Sequence, residues 1–246
     1  MTTFLSRKSI FISATDTGIG KTFVAAGLAK AFREAQIDTG VMKPIATGCR
    51  KVLADEQMNI GELISDDAVI LRDSANVSDS LDLINPVRYE PPLAPITAAK
   101  LTGNSIYLNH IFASYNELLA RHEFLIVEGI GGLMVPIFHD YFVSDLIKSL
   151  ESSLLIVARP NLGTINHTIL TIREAQNSGI DVLGVVLNHY EKFPDDVSIE
   201  SNQKIIEECT GISVLGIIPN AGSIDSCSKE FKLIADGLLR RLIRKD

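Results

Sequence analysis

The sequence predicts an α/β fold in which a mostly parallel central sheet carries helices on both faces. Short apolar runs alternate along the chain with longer segments of helical spacing, which is typical of parallel sheets buried on both sides. The chain has 246 residues, of which 46% are hydrophobic and 22% charged, so it is long enough to bury a sizeable core. No repeat or flexible linker divides it, and we expect one domain over residues 1–246.

The first elements form a strand, a loop and a helix. Ser9–Ala14 is an apolar strand candidate, Lys21–Gln36 has the spacing of an amphipathic helix, and Thr39–Lys43 is a second, short strand. Asp66–Arg72 places its acids in the first turn of a further helix.

Prolines dominate the following stretch, at positions 86, 91, 92 and 95. Because proline disrupts both helices and sheet ladders, we expect neither regular sheet nor regular helix there. A loop that crosses an active site and a simple surface connection both fit this composition.

The second half of the chain continues the alternation. Further buried strands are expected at Phe124–Glu128, Leu154–Ala158, Val182–Asn188 and Val214–Ile218. Helical spacing predicts helices over Ile165–Ser178, Ile199–Cys209 and Glu230–Arg244. Asn188 is expected to close its strand, and Asn166 to open a helix after Gly163.

Charge and cysteine content argue against several classes of partner. The net charge is −7, which disfavours a nucleic-acid surface. The basic residues Arg240, Arg241, Arg244 and Lys245 fit the cationic end of a C-terminal helix. Three distant cysteines predict neither a disulfide framework nor a zinc site. No apolar run is long enough to span a membrane, so we expect a cytoplasmic protein without membrane or nucleic-acid partners.

Residues 14–22 read ATDTGIGKT and join the first strand to the first helix. In this context backbone N–H groups and the helix dipole point at phosphate. The strict phosphate-loop pattern fails because Thr15 occupies its first glycine position, and a loop one residue longer begins at Ala14. We therefore expect a fold like that of the P-loop NTPases, with a nucleoside triphosphate and Mg²⁺ bound at the loop. The nucleotide would be held by Asp16, Thr17, Gly18, Ile19, Gly20, Lys21 and Thr22.

Other segments resemble the dethiobiotin synthetase family along nearly the whole chain. In order they are TDTGIGKT (15–22), KPIATG (43–48), SDDA (65–68), VEGIGGLMVP (127–136), LGTINHTILT (162–171), GVVLN (184–188) and GIIPN (216–220). The resemblance implies a homodimeric enzyme that uses ATP to join CO₂ to 7,8-diaminopelargonate and close the ureido ring of dethiobiotin. The small-molecule substrates would then be the diamine and CO₂.

Lys43 follows the second strand, at the edge where ligands of such sheets bind. The resemblance implies that Lys43 and Lys21 hold the carbamate and the γ-phosphate, and that the Thr47 hydroxyl contacts the substrate. Pro44 restricts Lys43 to extended geometry. A solvated surface lysine and a turn-capping hydroxyl at Thr47 are the alternatives.

The expected metal ligands are Thr22, Glu128 and an acid of the SDDA segment. A carboxylate at the end of the FLIVE strand suits Mg²⁺, although an ordinary turn acid is the alternative for Glu128. Alignment on the following alanine favours Asp67 over Asp66. One of the two acids would then only stabilise a helix start. Asp16 would approach the metal or the substrate amine, or would instead form a local side-chain turn.

The segment Leu162–Asn166 precedes a helix whose amides suit a carboxylate. The resemblance implies that the partner subunit supplies this segment to the substrate, with contacts from Leu162, Gly163, Thr164 and Asn166. Thr164 as an ordinary N-cap is compatible with that role, and His167 is expected to be structural. Thr17 and Gly131 complete the expected substrate contacts.

The adenine contacts are expected from Asn188, which offers both a donor and an acceptor, and from the Pro219–Asn220 turn. Two departures affect substrate detail, because Gly18 and Leu133 stand where relatives carry bulkier or aromatic residues. An ATP-switch protein of the partitioning or division-site type is the competing prediction. Those proteins carry an extra lysine where this chain has Asp16.

Overall fold

The computed structural model describes residues 8–55, 60–190 and 198–242. Its strands are β1 (Ser9–Ala14), β2 (Thr39–Met42), β3 (Ile45–Thr47), β4 (Arg50–Asp55), β5 (Ile60–Ile64), β6 (Val87–Tyr89), β7 (Phe124–Glu128), β8 (Pro136–Phe138), β9 (Tyr141–Phe142), β10 (Ser153–Ala158), β11 (Val182–Tyr190) and β12 (Val214–Pro219). Its α-helices are α1 (Lys21–Glu34), α2 (Asp66–Ala75), α3 (Leu81–Ile84), α4 (Pro95–Thr102), α5 (Leu108–Arg121), α6 (Val143–Ser149), α7 (Thr164–Asn177), α8 (Ser198–Thr210) and α9 (Ser228–Leu242).

The main sheet has six strands in the order β12-β11-β10-β1-β7-β2, and every neighbouring pair is parallel. These are the six strands expected from the apolar runs, so the predicted fold class is confirmed. Since all six strands run the same way, their carboxyl ends meet at one edge. β1 lies inside the sheet, and the glycine-rich loop therefore leaves it at the middle of that edge.

Helices cover both faces of the sheet because each strand sends alternate side chains to opposite sides. In β1, Ile10 and Ile12 pack with α1, α2 and α9, whereas Phe11 packs with α5, α6 and α7 on the other face. All three side chains are fully buried. This two-sided core holds β1, and with it the start of the loop, in a fixed position.

Outside the main sheet, β3 pairs in parallel with β6 and β4 pairs antiparallel with β5. The expectation that the proline-rich stretch forms no regular structure is wrong at both of its ends. Pro86 directly precedes β6, and Pro95 is the first residue of α4, where the missing N–H costs no helical hydrogen bond. Between them, the Pro91 carbonyl accepts a hydrogen bond from the Gly48 N–H at 3.3 Å.

Several predicted boundaries are also corrected. Asn188 does not close its strand, because β11 continues to Tyr190. Helix α7 begins at Thr164, and α5 was not predicted. Arg244 and Lys245 lie outside the described residues. No helix within the described part of the chain has the length and apolar character needed to cross a membrane.

Candidate active site

The loop between β1 and α1 has the conformation of an anion cradle. Gly18 and Gly20 both adopt left-handed backbone geometry, with φ of 72° and 86°, which residues with a Cβ rarely adopt. Gly20 is the N-cap of α1 and no side chain caps its first turn, so the helix start can receive an anion. The Asp16 carboxylate accepts a hydrogen bond from the Thr17 N–H at 2.7 Å, which is the local side-chain turn expected as one alternative for Asp16.

A cavity of about 360 Å³ lies against this loop at the carboxyl edge of the sheet. It is lined by Thr17, Gly18, Gly20, Lys21, Thr22, Lys43, Thr47, Asp67, Glu128, Ile130 and Gly131. These residues come from the loop, the end of β2, β3, the start of α2 and the end of β7. The structure therefore brings together most of the side chains expected to act on phosphate, metal and carbamate.

Lys43 is the centre of a buried ion network. Its Nζ donates to Glu128 Oε1 at 2.6 Å and to the Gly129 carbonyl at 3.2 Å, and lies 2.9 Å from Asp67 Oδ2. The side chains of Lys43 and Glu128 are only 4% and 1% exposed. The alternative interpretation of Lys43 as a solvated surface lysine is therefore wrong.

The charges in this network shift one another's proton affinity. Burial alone would lower the pKa of Lys43, but the carboxylates of Glu128 and Asp67 together raise it above its ordinary value. Burial raises the pKa of Glu128, and the Lys43 ammonium opposes that rise. Burial would also raise the pKa of Asp67, yet Lys43 and Thr22 hold it below its usual range. Burial and the neighbouring Lys43 charge lower the pKa of Lys21.

Three oxygens suited to a hard cation converge at the start of α1. Thr22 Oγ1 lies 3.0 Å from Asp67 Oδ1 and 2.9 Å from Glu128 Oε1, and its one hydrogen can serve only one of them at a time. Glu128 Oε2 is buried without a hydrogen-bond partner in the described structure. This donor set fits Mg²⁺, which usually combines one or two carboxylates with substrate phosphates. Within the described ranges, no cluster of three or more acidic, histidine or cysteine side chains offers a complete protein cage.

The two neighbouring acids of α2 point in different directions. Ser65 caps the helix by accepting from the Ala68 N–H at 3.3 Å, which fixes the orientation of the first turn. Asp67 then faces Thr22 and Lys43, whereas Asp66 is 72% exposed and pairs with Arg50 at 2.7 Å. The structure thus places Asp67, rather than Asp66, in the cavity.

Ile130 lines the cavity, and the Gly129 carbonyl accepts from Lys43; neither contact was predicted. The sequence signal for both contacts is the glycine-rich segment GIGG that directly follows Glu128, since glycines let the backbone approach a ligand closely. At Gly131 the backbone conformation and the surrounding space both disfavour a residue with a Cβ. Its φ is +61°, and an added Cβ would lie 2.5 Å from Val135 Cγ2.

The residues expected at the adenine lie outside this cavity. Asn188 is buried within β11, and its Nδ2 donates to the Ile19 carbonyl at 2.8 Å. It therefore ties β11 to the phosphate loop. The Pro219 carbonyl accepts from the Cys227 thiol at 3.7 Å, and Asn220 is exposed in the turn that follows β12.

The Leu162–Asn166 segment also lies apart from the cavity. Leu162 is 98% exposed, and Gly163 and Asn166 are exposed as well. The N-cap interpretation of Thr164 is wrong. Gly163 occupies that position with φ of 93°, while the buried Thr164 hydroxyl lies 3.3 Å from that of Thr168.

Comparison with known proteins identifies the relatives of this chain. A family model described as an AAA domain matches residues 8–228. The ATP-dependent dethiobiotin synthetase BioD of Bacillus velezensis is 41% identical over 219 residues, covering 89% of each chain. The ATP-dependent dethiobiotin synthetase BioD of Bacillus licheniformis is 42% identical over 212 residues, covering 86% of each chain.

Among solved structures, the MinC:MinD cell division protein complex of Aquifex aeolicus superposes with a TM-score of 0.59. The alignment covers 98% of this chain and 99% of that chain at 16% identity. At this identity the likeness shows a shared fold only. The sequence relatives are much closer and extend over most of both chains. The chain therefore belongs to the ATP-dependent dethiobiotin synthetase family.

Proposed function

We propose that this chain is an ATP-dependent ring-closing ligase that converts 7,8-diaminopelargonate and CO₂ to dethiobiotin. The observation that carries the proposal is the buried Lys43 beside Glu128, Asp67 and the phosphate loop, in a member of this family. An amine of the diamine adds to CO₂ and loses a proton to give a carbamate. The carbamate oxygen takes the γ-phosphoryl group and ADP leaves. The second amine then attacks the carbonyl carbon, closes the ring and expels phosphate.

We propose a division of roles that follows the geometry of the cavity. Lys21 and the N–H groups at the start of α1 would bind the β- and γ-phosphates. Lys43 would hold the carbamate against the γ-phosphate, with Thr47 on the carbamate side. A preorganised cation in a buried cavity stabilises charge that develops during phosphoryl transfer more strongly than it would in water. Lys43 is already oriented by its contacts with Glu128 and Asp67, so little reorganisation is required.

We propose that Thr22, Asp67 and Glu128 hold Mg²⁺. Bound there, the ion would neutralise charge on the phosphates. For the base, we propose Asn188, Pro219 and Asn220 as neighbours of the adenine. The bond from Asn188 to the Ile19 carbonyl would couple that region to the loop.

We further propose a cytoplasmic homodimer in which the Leu162–Asn166 segment of one subunit completes the substrate site of the other. Large exposed apolar side chains before and on α7, and in the loop after β7, support this arrangement. Leu162, Leu170 and Met134 are 98%, 58% and 52% exposed, and exposed apolar side chains that lie together are typical of an interface. Leu170 and Met134 also line a groove beside Asp16 and Thr17 of the phosphate loop.

The activity is tested by incubating the purified protein with ATP, Mg²⁺, bicarbonate and the diamine. We expect a product with the mass of dethiobiotin, formed in step with ADP. Omission of bicarbonate or of the diamine provides the controls. ATP turnover that the diamine does not change, without ring-closed product, would reject the proposal and favour a switch ATPase.

Sharing of the site between subunits is tested by mixing two inactive variants. One carries Lys43→Ala and the other carries a bulky substitution at Gly163. In a shared-site dimer, half of a random mixture is heterodimer with one intact site, so activity should recover to about a quarter of wild type. No recovery after verified subunit exchange would mean that each chain builds its own site.

A further inference from the structure

Asn85 lies directly behind Lys43 and holds its backbone. The side chain of Asn85 is fully buried between α3 and β6. Its Nδ2 donates to the Lys43 carbonyl at 2.6 Å and to the Val87 carbonyl at 3.2 Å. The Lys43 N–H donates in turn to the Ile84 carbonyl at 2.8 Å. Residues 84 and 85 therefore hold both backbone polar groups of Lys43.

Lys43 requires this support because the main sheet ends just before it. The last register pair of β2 joins Met42 to Val127 of β7. The next residue after Lys43 is Pro44, which has no N–H to donate. The chain then turns away, and β3 pairs with β6 instead. The position of the Lys43 backbone thus depends on the α3–β6 junction.

The Asn85 amide is used only for donation. Its Oδ1 is buried and has no hydrogen-bond partner in the described structure. If the amide oxygen and nitrogen of Asn85 were exchanged, the oxygen would face two carbonyl oxygens and could not donate to either. The contacts therefore determine the orientation of the amide. A buried polar atom without a partner is destabilising and calls for a reason. The two donated bonds, one of them to Lys43, supply that reason.

We propose that Asn85 is a positioning residue for the ligase reaction and acts through Lys43. By fixing the Lys43 backbone, it keeps the ammonium within reach of Glu128, Asp67 and the reacting groups. Asn85 itself contacts neither phosphate nor substrate. The inference rests on the proposed role of Lys43 and adds a residue that sequence motifs did not indicate.

A double-mutant cycle tests this coupling. Asn85→Ala and the isosteric Asn85→Asp, which removes the donor, are made in the wild type and in Lys43→Ala. In the wild type we expect kcat for ring closure to fall about 10-fold, as for other supports of catalytic groups. The KM for ATP should change less than about twofold, because the phosphate loop is untouched. In the Lys43→Ala background the same substitutions should cost less than about twofold in kcat.

The matched control is Tyr115→Phe. Tyr115 is also buried, and its hydroxyl donates to the Leu150 carbonyl at 2.8 Å, but it lies at the opposite edge of the sheet. This variant should lower the unfolding temperature without lowering kcat.

Three results would overturn the proposal for Asn85. They are an equal fall of kcat in both backgrounds, an unchanged kcat in folded variants, and failure of both variants to fold. The last result would make Asn85 a determinant of folding. Failure of the proposed function is distinguishable, since the wild type would then form no ring-closed product. A near-normal kcat of Lys43→Ala would reject the role of Lys43 itself.

Discussion

Strands β2 and β7 carry charged residues at both of their ends, and the two clusters differ in how completely their charges are paired. The amino-end cluster consists of Arg33, Asp38, Asp79, Arg121 and His122. Each ring nitrogen of His122 faces a carboxylate, at 3.2 Å for Asp38 and 2.8 Å for Asp79. Arg33 pairs with Asp38 and Arg121 with Asp79, both at 2.9 Å. These charges are satisfied by one another.

The carboxyl-end cluster consists of Lys21, Thr22, Lys43, Asp67 and Glu128. It is more deeply buried, yet Glu128 Oε2 lacks a partner in the described structure and a cavity of about 360 Å³ adjoins the charges. Two lysines and two carboxylates there could bind further charge from a ligand. The amino-end cluster therefore has its partners within itself, whereas the carboxyl-end cluster keeps unused hydrogen-bonding capacity, as expected if it is the ligand site that we propose.

Among the substitutions that test the difference between the two clusters, Lys43→Ala should have the largest effect on activity. We expect kcat to fall on the order of 10²-fold, because the substitution removes the cation that we propose to face the transferred phosphoryl group. Arg121→Ala removes a cation from the amino-end cluster and is the matched control, with kcat expected to stay near wild type. Steady-state kinetics on folded variants decides the outcome. A near-normal kcat for Lys43→Ala would remove this residue from the mechanism.

Asp67→Asn and Asp66→Asn form a pair of adjacent substitutions with opposite expectations. Asp67→Asn should raise the Mg²⁺ concentration for half-maximal activity about 10-fold, since it weakens one proposed ligand. Asp66→Asn should change it less than about twofold, because Asp66 is exposed and only pairs with Arg50. Magnesium titrations of activity provide the measurement. Equal effects of the two substitutions would contradict the assignment of Asp67.

Asp79→Asn should have its effect on stability rather than on catalysis. Asp79 is buried and accepts from both His122 and Arg121. Its loss should lower the free energy of unfolding by about 1–3 kcal/mol, as measured by urea titration, while kcat stays unchanged. Asp225→Asn, which breaks an exposed pair with Lys30, should have a smaller effect. A fall in kcat without lost stability would show that the amino-end cluster is not merely structural.

The main sheet and the phosphate loop were predictable because their signals are local. Continuous apolar runs mark strands buried on both faces, and all six were expected from the sequence. The short strands β3 and β6 were missed, because three-residue strands carry little periodic signal and form only by pairing with each other. Pro95 was misjudged because its position at the start of a helix, rather than its identity, decides whether it is tolerated.

The sequence by itself determined the parallel sheet, the phosphate-binding loop and the candidate residues at the strand ends. These depend on neighbouring residues, namely apolar runs, glycines and a lysine–threonine pair. The alignment already favoured Asp67 over Asp66, but only the tertiary structure decided that its side chain enters the cavity, that Lys43 is buried, and that Asn85 holds its backbone. Each of these depends on segments that are distant in sequence, and sheet order and helix docking bring them together. The pairing of Lys43 with Asp67 and Glu128 was also decided by the tertiary structure, since the three residues come from different segments of the chain.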